Sequence, residues 1–271
     1  MRASKDAIAP CSSERDGSKT LTETPLFLVT LRLADDALIL GHRLSEWCGH
    51  APVLEEELAL ANLGLDLIGQ ARSLYTHAGA IEGAGRDEDG LAYLRRENEY
   101  RNVLLVEQPN GDFAATMVRQ LIYSAFMHPF HRAMASSKDA TLAGIAAKAE
   151  KEMAYHVRHS AEWVIRLGDG TEESHRRAQD ALDALWPYAG ELFEVDAPMR
   201  AAIEAGLVPD PESLRATFDA TMTEALAEAT LTLPKLGSFQ TGGRAGRHTE
   251  HMGFLLAQLQ YMQRTYPNAA W

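Results

Sequence analysis

The chain contains 271 residues, enough to bury a complete hydrophobic core as one domain or at most two. Asp and Glu number 38 against 26 Lys and Arg, which gives a formal net charge of −12. Nucleic acid is therefore not an expected partner, because binding to a phosphate backbone depends on Lys and Arg. No stretch of about 18 apolar residues occurs, so no membrane-spanning helix and no membrane partner are expected.

The cysteines and the N-terminal segment indicate where the protein works. Cys11 and Cys48 are too few for a disulfide framework and lack the paired spacing of a zinc or iron–sulfur site. Residues 1–25 are polar and contain no apolar core of the kind that a secretory signal needs. We expect a cytoplasmic protein in which residues 1–25 form a disordered extension and residues 26–271 form one helical domain.

From residue 26 onward, the chain reads as helical segments separated by short Gly- and Pro-containing breaks. No window alternates apolar and polar residues in the way that predicts a strand, so an all-α fold is predicted. Pro129 is expected to kink or break its helix, since proline removes a backbone donor. The predicted helices cover residues 26–48, 52–80, 91–106, 112–137, 139–167, 171–193, 211–231 and 248–266.

The apolar spacing of the long segments favours a four-helix bundle with additional helices. In the segment 139–167, the inward stripe includes Glu152, His156 and His159. The segment 52–80 is so apolar that it is predicted to be buried nearly all round, which would place Asp66 inside the bundle. A buried carboxylate needs a partner, because burying an unpaired charge is costly.

A helical bundle with inward carboxylates and histidines raises the possibility of a di-iron centre, which uses a Glu-x-x-His pair on each of two helices. The only such pair, Glu172 with His175, lies in a polar run and is interpreted as chance. At the interior positions, each pair retains one possible ligand and lacks the other, and the segment 112–137 offers no carboxylate near its centre. The first segment can supply Asp35 or Asp36, and the degraded di-iron positions are assigned to Asp36, Asp66, Met153 and His156. The favoured interpretation is a hydrogen-bonded polar core, with no metal, cofactor or catalytic residue in this chain.

A Gly-rich, locally basic loop covers residues 241–251 and opens onto a helix. It lacks the lysine pattern of a nucleotide-binding loop, so a contact with a protein partner or with a CoA phosphate is predicted, and the protein interface is favoured. His248 and His251 are three residues apart, but two ligands make a weak metal site. The residues proposed for this contact are Arg244, Arg247, His248 and His251.

Several long strings carry a resemblance to a known family. They are residues 44–52 (LSEWCGHAP), 58–72 (LALANLGLDLIGQAR), 104–113 (LLVEQPNGDF), 151–156 (KEMAYH) and 241–251 (TGGRAGRHTEH). In these strings the sequence resembles the structural C subunits of bacterial phenylacetyl-CoA epoxidases, which are ring 1,2-monooxygenases. The resemblance covers nearly all of residues 26–271, and the first 25 residues fall outside it.

The resemblance implies a ferritin-like bundle that pairs with a homologous catalytic A subunit and acts as a non-catalytic scaffold in aerobic phenylacetate degradation. The A subunit of such a complex would carry the di-iron centre, and a reductase subunit with FAD and an iron–sulfur cluster would deliver electrons from NADPH for the epoxidation with O2. Two alternatives remain open at this point. One is a di-iron oxygenase chain acting through Asp36, Asp66, Glu152 and His156, and the other is a helical module that binds CoA through the loop with Arg244 and Arg247.

Overall fold

The structure, a computed structural model, describes residues 24–235, 238–267 and 269. The predicted extension therefore lies almost entirely outside the described residues. Within the described residues there is no strand, and the all-helical prediction is confirmed. The α-helices, in chain order, are α1 (Pro25–Ser45), α2 (Leu54–Glu82), α3 (Glu88–Tyr93), α4 (Leu104–Glu107), α5 (Phe113–Met134), α6 (Ala140–Gly168), α7 (Glu172–Leu185), α8 (Ala197–Glu204), α9 (Arg215–Glu228), α10 (Glu250–Leu259) and α11 (Tyr261–Thr265).

Four long helices, α1, α2, α5 and α6, form the bundle. Helix α1 packs chiefly against α2, and α5 packs chiefly against α6. The α1–α2 contact is close because two glycines meet there: a Cβ atom on Gly41 would lie 3.3 Å from the carbonyl oxygen of Gly64. Helices α7 and α9 pack on the α5–α6 pair. No helix in the described part of the chain is long and apolar enough to cross a membrane.

Helices α1 and α5 occupy the centre of the molecule, because both bury side chains on all sides. Helix α2 does not, and the prediction that it is buried nearly all round is wrong. Leu54, Leu58 and Leu65 are 70%, 59% and 65% exposed. An apolar run predicts that a helix forms, but it does not show how many faces of that helix pack against the rest of the same chain.

The local structure differs from the sequence-based expectation in three further places. The segment 91–106 is not one helix: α3 is followed by a 3₁₀ turn, and helix resumes only at α4. Helix α8 was missed, although Asp196 caps it by accepting a hydrogen bond from Met199 N at 3.1 Å. Of the two outcomes expected for Pro129, a break is excluded, because Pro129 lies inside α5, which continues to Met134. Pro129 is itself buried, so the packing of the central helix outweighs the loss of one backbone hydrogen bond.

Candidate functional site

The first part of the candidate site is a polar contact between α2, α5 and α6. The His156 side chain is completely buried, and its Nε2 lies 3.2 Å from Asp66 Oδ2. The Gln120 side-chain amide donates to His156 Nδ1 at 3.0 Å, which leaves the ring proton on Nε2 for Asp66. Burial lowers the pKa of His156 although the hydrogen bond to Asp66 opposes this shift, so the neutral ring is favoured. The expected partner for Asp66 is therefore a histidine, but the Asp66 side chain is 34% exposed rather than fully inside.

The other polar residues of this region use different partners. Glu152 accepts a hydrogen bond from Gln70 Nε2 at 2.8 Å, and His159 Nε2 lies 2.9 Å from Glu56 Oε2. The residues predicted to share one polar core thus make three separate contacts between α2 and α6. Met153 is completely buried.

The second part of the candidate site surrounds Asp36 on α1. Asp36 is fully buried and accepts hydrogen bonds from Arg244 Nη1 at 3.1 Å and Nη2 at 2.8 Å. The backbone N–H of Val103 donates a third, at 2.8 Å. Burial raises the pKa of Asp36 to about 6 even though Arg244 opposes the shift. The carboxylate that sequence analysis placed among the degraded di-iron positions is thus held by an arginine.

Asp35, the neighbour of Asp36, has its own arginine. Arg95 donates to both carboxylate oxygens, with Nη1 at 3.0 Å from Oδ2. The Tyr75 hydroxyl donates to Oδ1 at 2.6 Å, and Arg101 N donates to Oδ2 at 2.7 Å. The Arg95 guanidinium also lies over the Tyr100 ring, 4.1 Å from its centroid. Each carboxylate oxygen of Asp35 therefore accepts two hydrogen bonds from within this chain.

Two buried glutamates complete this network. Glu107 accepts from His248 Nδ1 at 2.7 Å and from Thr249 N at 2.6 Å. Glu191 accepts from Leu104 N at 2.7 Å and from Gly242 N at 2.9 Å. The four buried carboxylates, Asp35, Asp36, Glu107 and Glu191, thus hold the backbone of residues 101–104 and of the loop 241–251 against the bundle. Their role in the geometry is to anchor loops that have no regular hydrogen-bonding ladder.

This arrangement changes the interpretation of the 241–251 loop. The Arg244 side chain is only 11% exposed, and the His248 side chain is fully buried, so neither presents its charge at the surface, which corrects the prediction for these two residues. Burial alone would lower the pKa of His248, but the hydrogen bond to Glu107, the negative charge of Glu107 and the contact with the Tyr100 carbonyl oxygen together raise it. Arg247 is exposed and His251 is half-buried, so for these two a partner or CoA contact stays a prediction.

Sequence reasoning missed Glu107, Glu191 and Arg95. A signal was available in the pair Asp35–Asp36, which interrupts an otherwise apolar stretch of α1 and therefore requires buried cations or N–H donors. The sequence does not show which cations bind this pair, because Arg95 lies 60 residues from Asp35 and Arg244 lies 208 residues from Asp36 along the chain. Among the described residues, no group of three or more His, Cys, Asp or Glu side chains is placed to hold a metal ion.

Comparison with known proteins agrees with this architecture. A family model described as "Phenylacetic acid catabolic protein" matches residues 7–271. A relative from Escherichia coli (strain K12), which is the C subunit of a 1,2-phenylacetyl-CoA epoxidase, is 48% identical over 242 residues, which cover 89% of this chain and 97% of the relative. The match across nearly the whole chain and the all-helical structure show that the chain belongs to the phenylacetic acid catabolic protein family, whose members have a ferritin-like fold.

Proposed function

We propose that this chain is a non-catalytic structural subunit of a 1,2-phenylacetyl-CoA epoxidase complex. In this role it pairs with a homologous catalytic A subunit that carries the di-iron centre, and it stabilises that subunit during aerobic phenylacetate degradation. Electrons from NADPH would reach the A subunit through a separate reductase with FAD and an iron–sulfur cluster. The name of the Escherichia coli relative supports membership of such a complex.

One observation carries the non-catalytic part of the proposal: the residues at the four degraded di-iron positions do not fit a di-iron centre. Two iron cations need several anionic oxygen ligands to neutralise and hold them. Here Asp36 is already neutralised by Arg244, and Asp66 is hydrogen-bonded to His156. Met153 offers a thioether, a soft ligand poorly suited to this chemistry. A guanidinium bound to Asp36 would also repel any cation placed beside it.

The scaffold role leaves this chain two tasks that its residues can perform. The first is to keep a rigid bundle, for which the four buried carboxylates anchor the loops around α1. The second is to present an outer surface to the catalytic subunit. No chemical step is assigned to a side chain of this protein.

The proposal is tested by co-expressing this chain with the candidate catalytic subunit, isolating the complex, separating the chains and measuring the iron in each. We expect a stable complex in which the iron belongs to the catalytic subunit, and a catalytic subunit that melts at a higher temperature within the complex than alone. About two irons per copy of this chain, the number a di-iron bundle holds, would overturn the non-catalytic role. Failure of the two chains to associate would overturn the pairing.

A further inference from the structure

Helix α2 carries an apolar stripe that nothing within the described chain covers. The α2 stripe consists of Leu54, Leu58, Ala61, Leu65 and Ile68, all of which are exposed, and Ile68, the most covered of its large side chains, is still 40% exposed. Its members follow one another at intervals of four, three, four and three residues along a helix of 29 residues. This spacing is the heptad pattern by which one α-helix packs against another, with side chains fitting between those of the facing helix.

A groove runs along the stripe where α2 meets the end of α1. Its volume is about 270 Å³, and it is lined by Leu44, Trp47, Cys48, Leu60, Leu65 and Ile68. The lining is predominantly apolar, so a large apolar side chain from a facing helix could enter it. A stripe with an adjoining pocket is the arrangement in which interface side chains make their strongest contacts.

The charges around the stripe favour a different chain over a second copy of this one. Residues 55–71 contain no Lys or Arg, and the first turn of α2 carries Glu55, Glu56 and Glu57. A second copy aligned antiparallel about Ala61 would place Glu55 and Glu57 opposite this same cation-free stretch. A parallel copy would place these glutamates against their own equivalents, and both copies carry a net charge of −12.

We propose that the α2 stripe is the docking surface for an amphipathic α-helix of a second subunit. That helix carries apolar side chains at three- and four-residue spacing, and Lys or Arg at the end that lies against Glu55 and Glu57. The inference rests on the proposed function, because it names the face through which this chain binds its partner subunit. A docked helix would also account for the exposure of the apolar α2 stripe in the isolated chain.

The first test compares the affinity of the candidate catalytic subunit for the wild-type chain and for the double variant Leu58→Gln/Leu65→Gln. We expect the double variant to bind at least about tenfold more weakly. Its helicity and melting temperature should match those of the wild type, since both side chains are exposed. The matched control is Phe254→Gln, which removes a 73% exposed aromatic from α10 and should bind like the wild type.

The outcomes separate the two proposals. If the wild-type chain does not bind the catalytic subunit, the proposed function fails. If the wild type binds and the double variant binds equally well, the α2 stripe is not the docking surface, while the proposed function stands. Loss of binding in Phe254→Gln alone would place the interface on α10. Self-association of the isolated chain in analytical ultracentrifugation, abolished by Leu58→Gln/Leu65→Gln, would identify a second copy as the occupant and overturn the inference.

Two further measurements address the charges and the groove. The double variant Glu55→Gln/Glu57→Gln removes two negative charges, so it should bind the catalytic subunit more weakly and with a smaller dependence on salt concentration. An unchanged affinity and an unchanged salt dependence would contradict the basic end assigned to the partner helix. Cys48 is exposed at the edge of the groove. In a Cys11→Ser background, alkylation of Cys48 should slow at least about tenfold when the complex forms. An unchanged alkylation rate in a fully assembled complex would show that the groove stays open.

Discussion

Replacing Arg244 by methionine tests whether the 241–251 loop is anchored inside the molecule or displayed at its surface. The substitution keeps an unbranched side chain of comparable length but removes the cation that holds Asp36. Asp36 is completely buried and would retain only the hydrogen bond from Val103 N. Removing one member of a buried ion pair typically costs about 3–5 kcal/mol, which for a domain of this size, at about 2 °C per kcal/mol, lowers the melting temperature by about 6–10 °C.

The loss of stability in Arg244→Met should depend on pH, and it should increase as the pH rises. The pKa of Asp36 is about 6 in the presence of Arg244, above its ordinary value of 3.8, because burial disfavours the charged form. A carboxyl with a raised pKa in the folded state contributes stability that is complete below pH 3.8 and is lost as the pH rises through the folded value. Without Arg244 the pKa rises further, so the deficit of Arg244→Met is largest in alkaline solution and shrinks as Asp36 becomes protonated.

The assay is chemical unfolding of four proteins followed by circular dichroism: the wild type, Arg244→Met, Asp36→Asn and the double variant. Asp36→Asn retains an acceptor for Val103 N, so the double variant should recover about 2 kcal/mol or more relative to the sum of the single changes. The matched control is Arg247→Met in the same loop, whose exposed side chain should contribute less than about 0.5 kcal/mol. If Arg244→Met cost no more than Arg247→Met, the account of a buried anchor would be refuted.

Three other predictions concern stability and are checked by unfolding measurements. Both ring nitrogens of buried His131 lack a hydrogen-bond partner among the described residues, and burial lowers its pKa from 6.5 to about 4. Relative to His131→Leu, the wild type should therefore lose up to about 3 kcal/mol of stability as the pH falls from 6.5 to 4, from about 2.5 pH units at 1.36 kcal/mol each; the comparison with the variant separates this loss from the opposite contribution of Asp36. An unchanged pH dependence in the variant would contradict it. Asp66→Ala should cost about 1–3 kcal/mol by leaving buried His156 without its acceptor, and a cost near zero would mean that water replaces the carboxylate. On α6, Gly144→Ala should stabilise the protein by about 0.5–1 kcal/mol, because the new methyl group meets open space. Gly168→Ala should destabilise it, because the methyl group would lie 2.2 Å from a backbone oxygen. Stability changes of the same sign for both variants would contradict this packing.

The long helices could be predicted because their signals are local. Thr24 and Pro25 mark the start of α1, with the Thr24 hydroxyl accepting from Phe27 N at 3.2 Å. Asp112 and Asp139 cap α5 and α6 in the same way, and the sequence placed these starts within a residue or two. Capping and periodicity involve neighbours only a few residues apart, so they are visible without knowledge of the fold.

The errors have a common physical origin in contacts that are distant along the chain. The sequence predicts residues 101–103 as part of a helix over 91–106, but the N–H groups of Arg101 and Val103 donate to Asp35 and Asp36 instead. The sequence predicts Arg244 as a partner or CoA contact because its loop is locally basic and opens onto a helix, but the Arg244 guanidinium binds Asp36, which lies 208 residues earlier. The exposed face of α2 was read as buried because the composition of a helix does not show whether its partner belongs to the same chain.

Whether this chain contributes a catalytic residue can be measured as the turnover of an assembled complex in which this chain carries Asp66→Asn/His156→Gln. These substitutions remove both members of the polar pair that lies at the degraded di-iron positions on α2 and α6. We expect epoxidation of phenylacetyl-CoA at the wild-type rate per assembled complex, with unchanged iron content, because no side chain of this subunit takes part in the chemistry. An intact complex whose turnover falls by about a hundredfold, the scale expected when a group acting in the chemistry is lost, would contradict it.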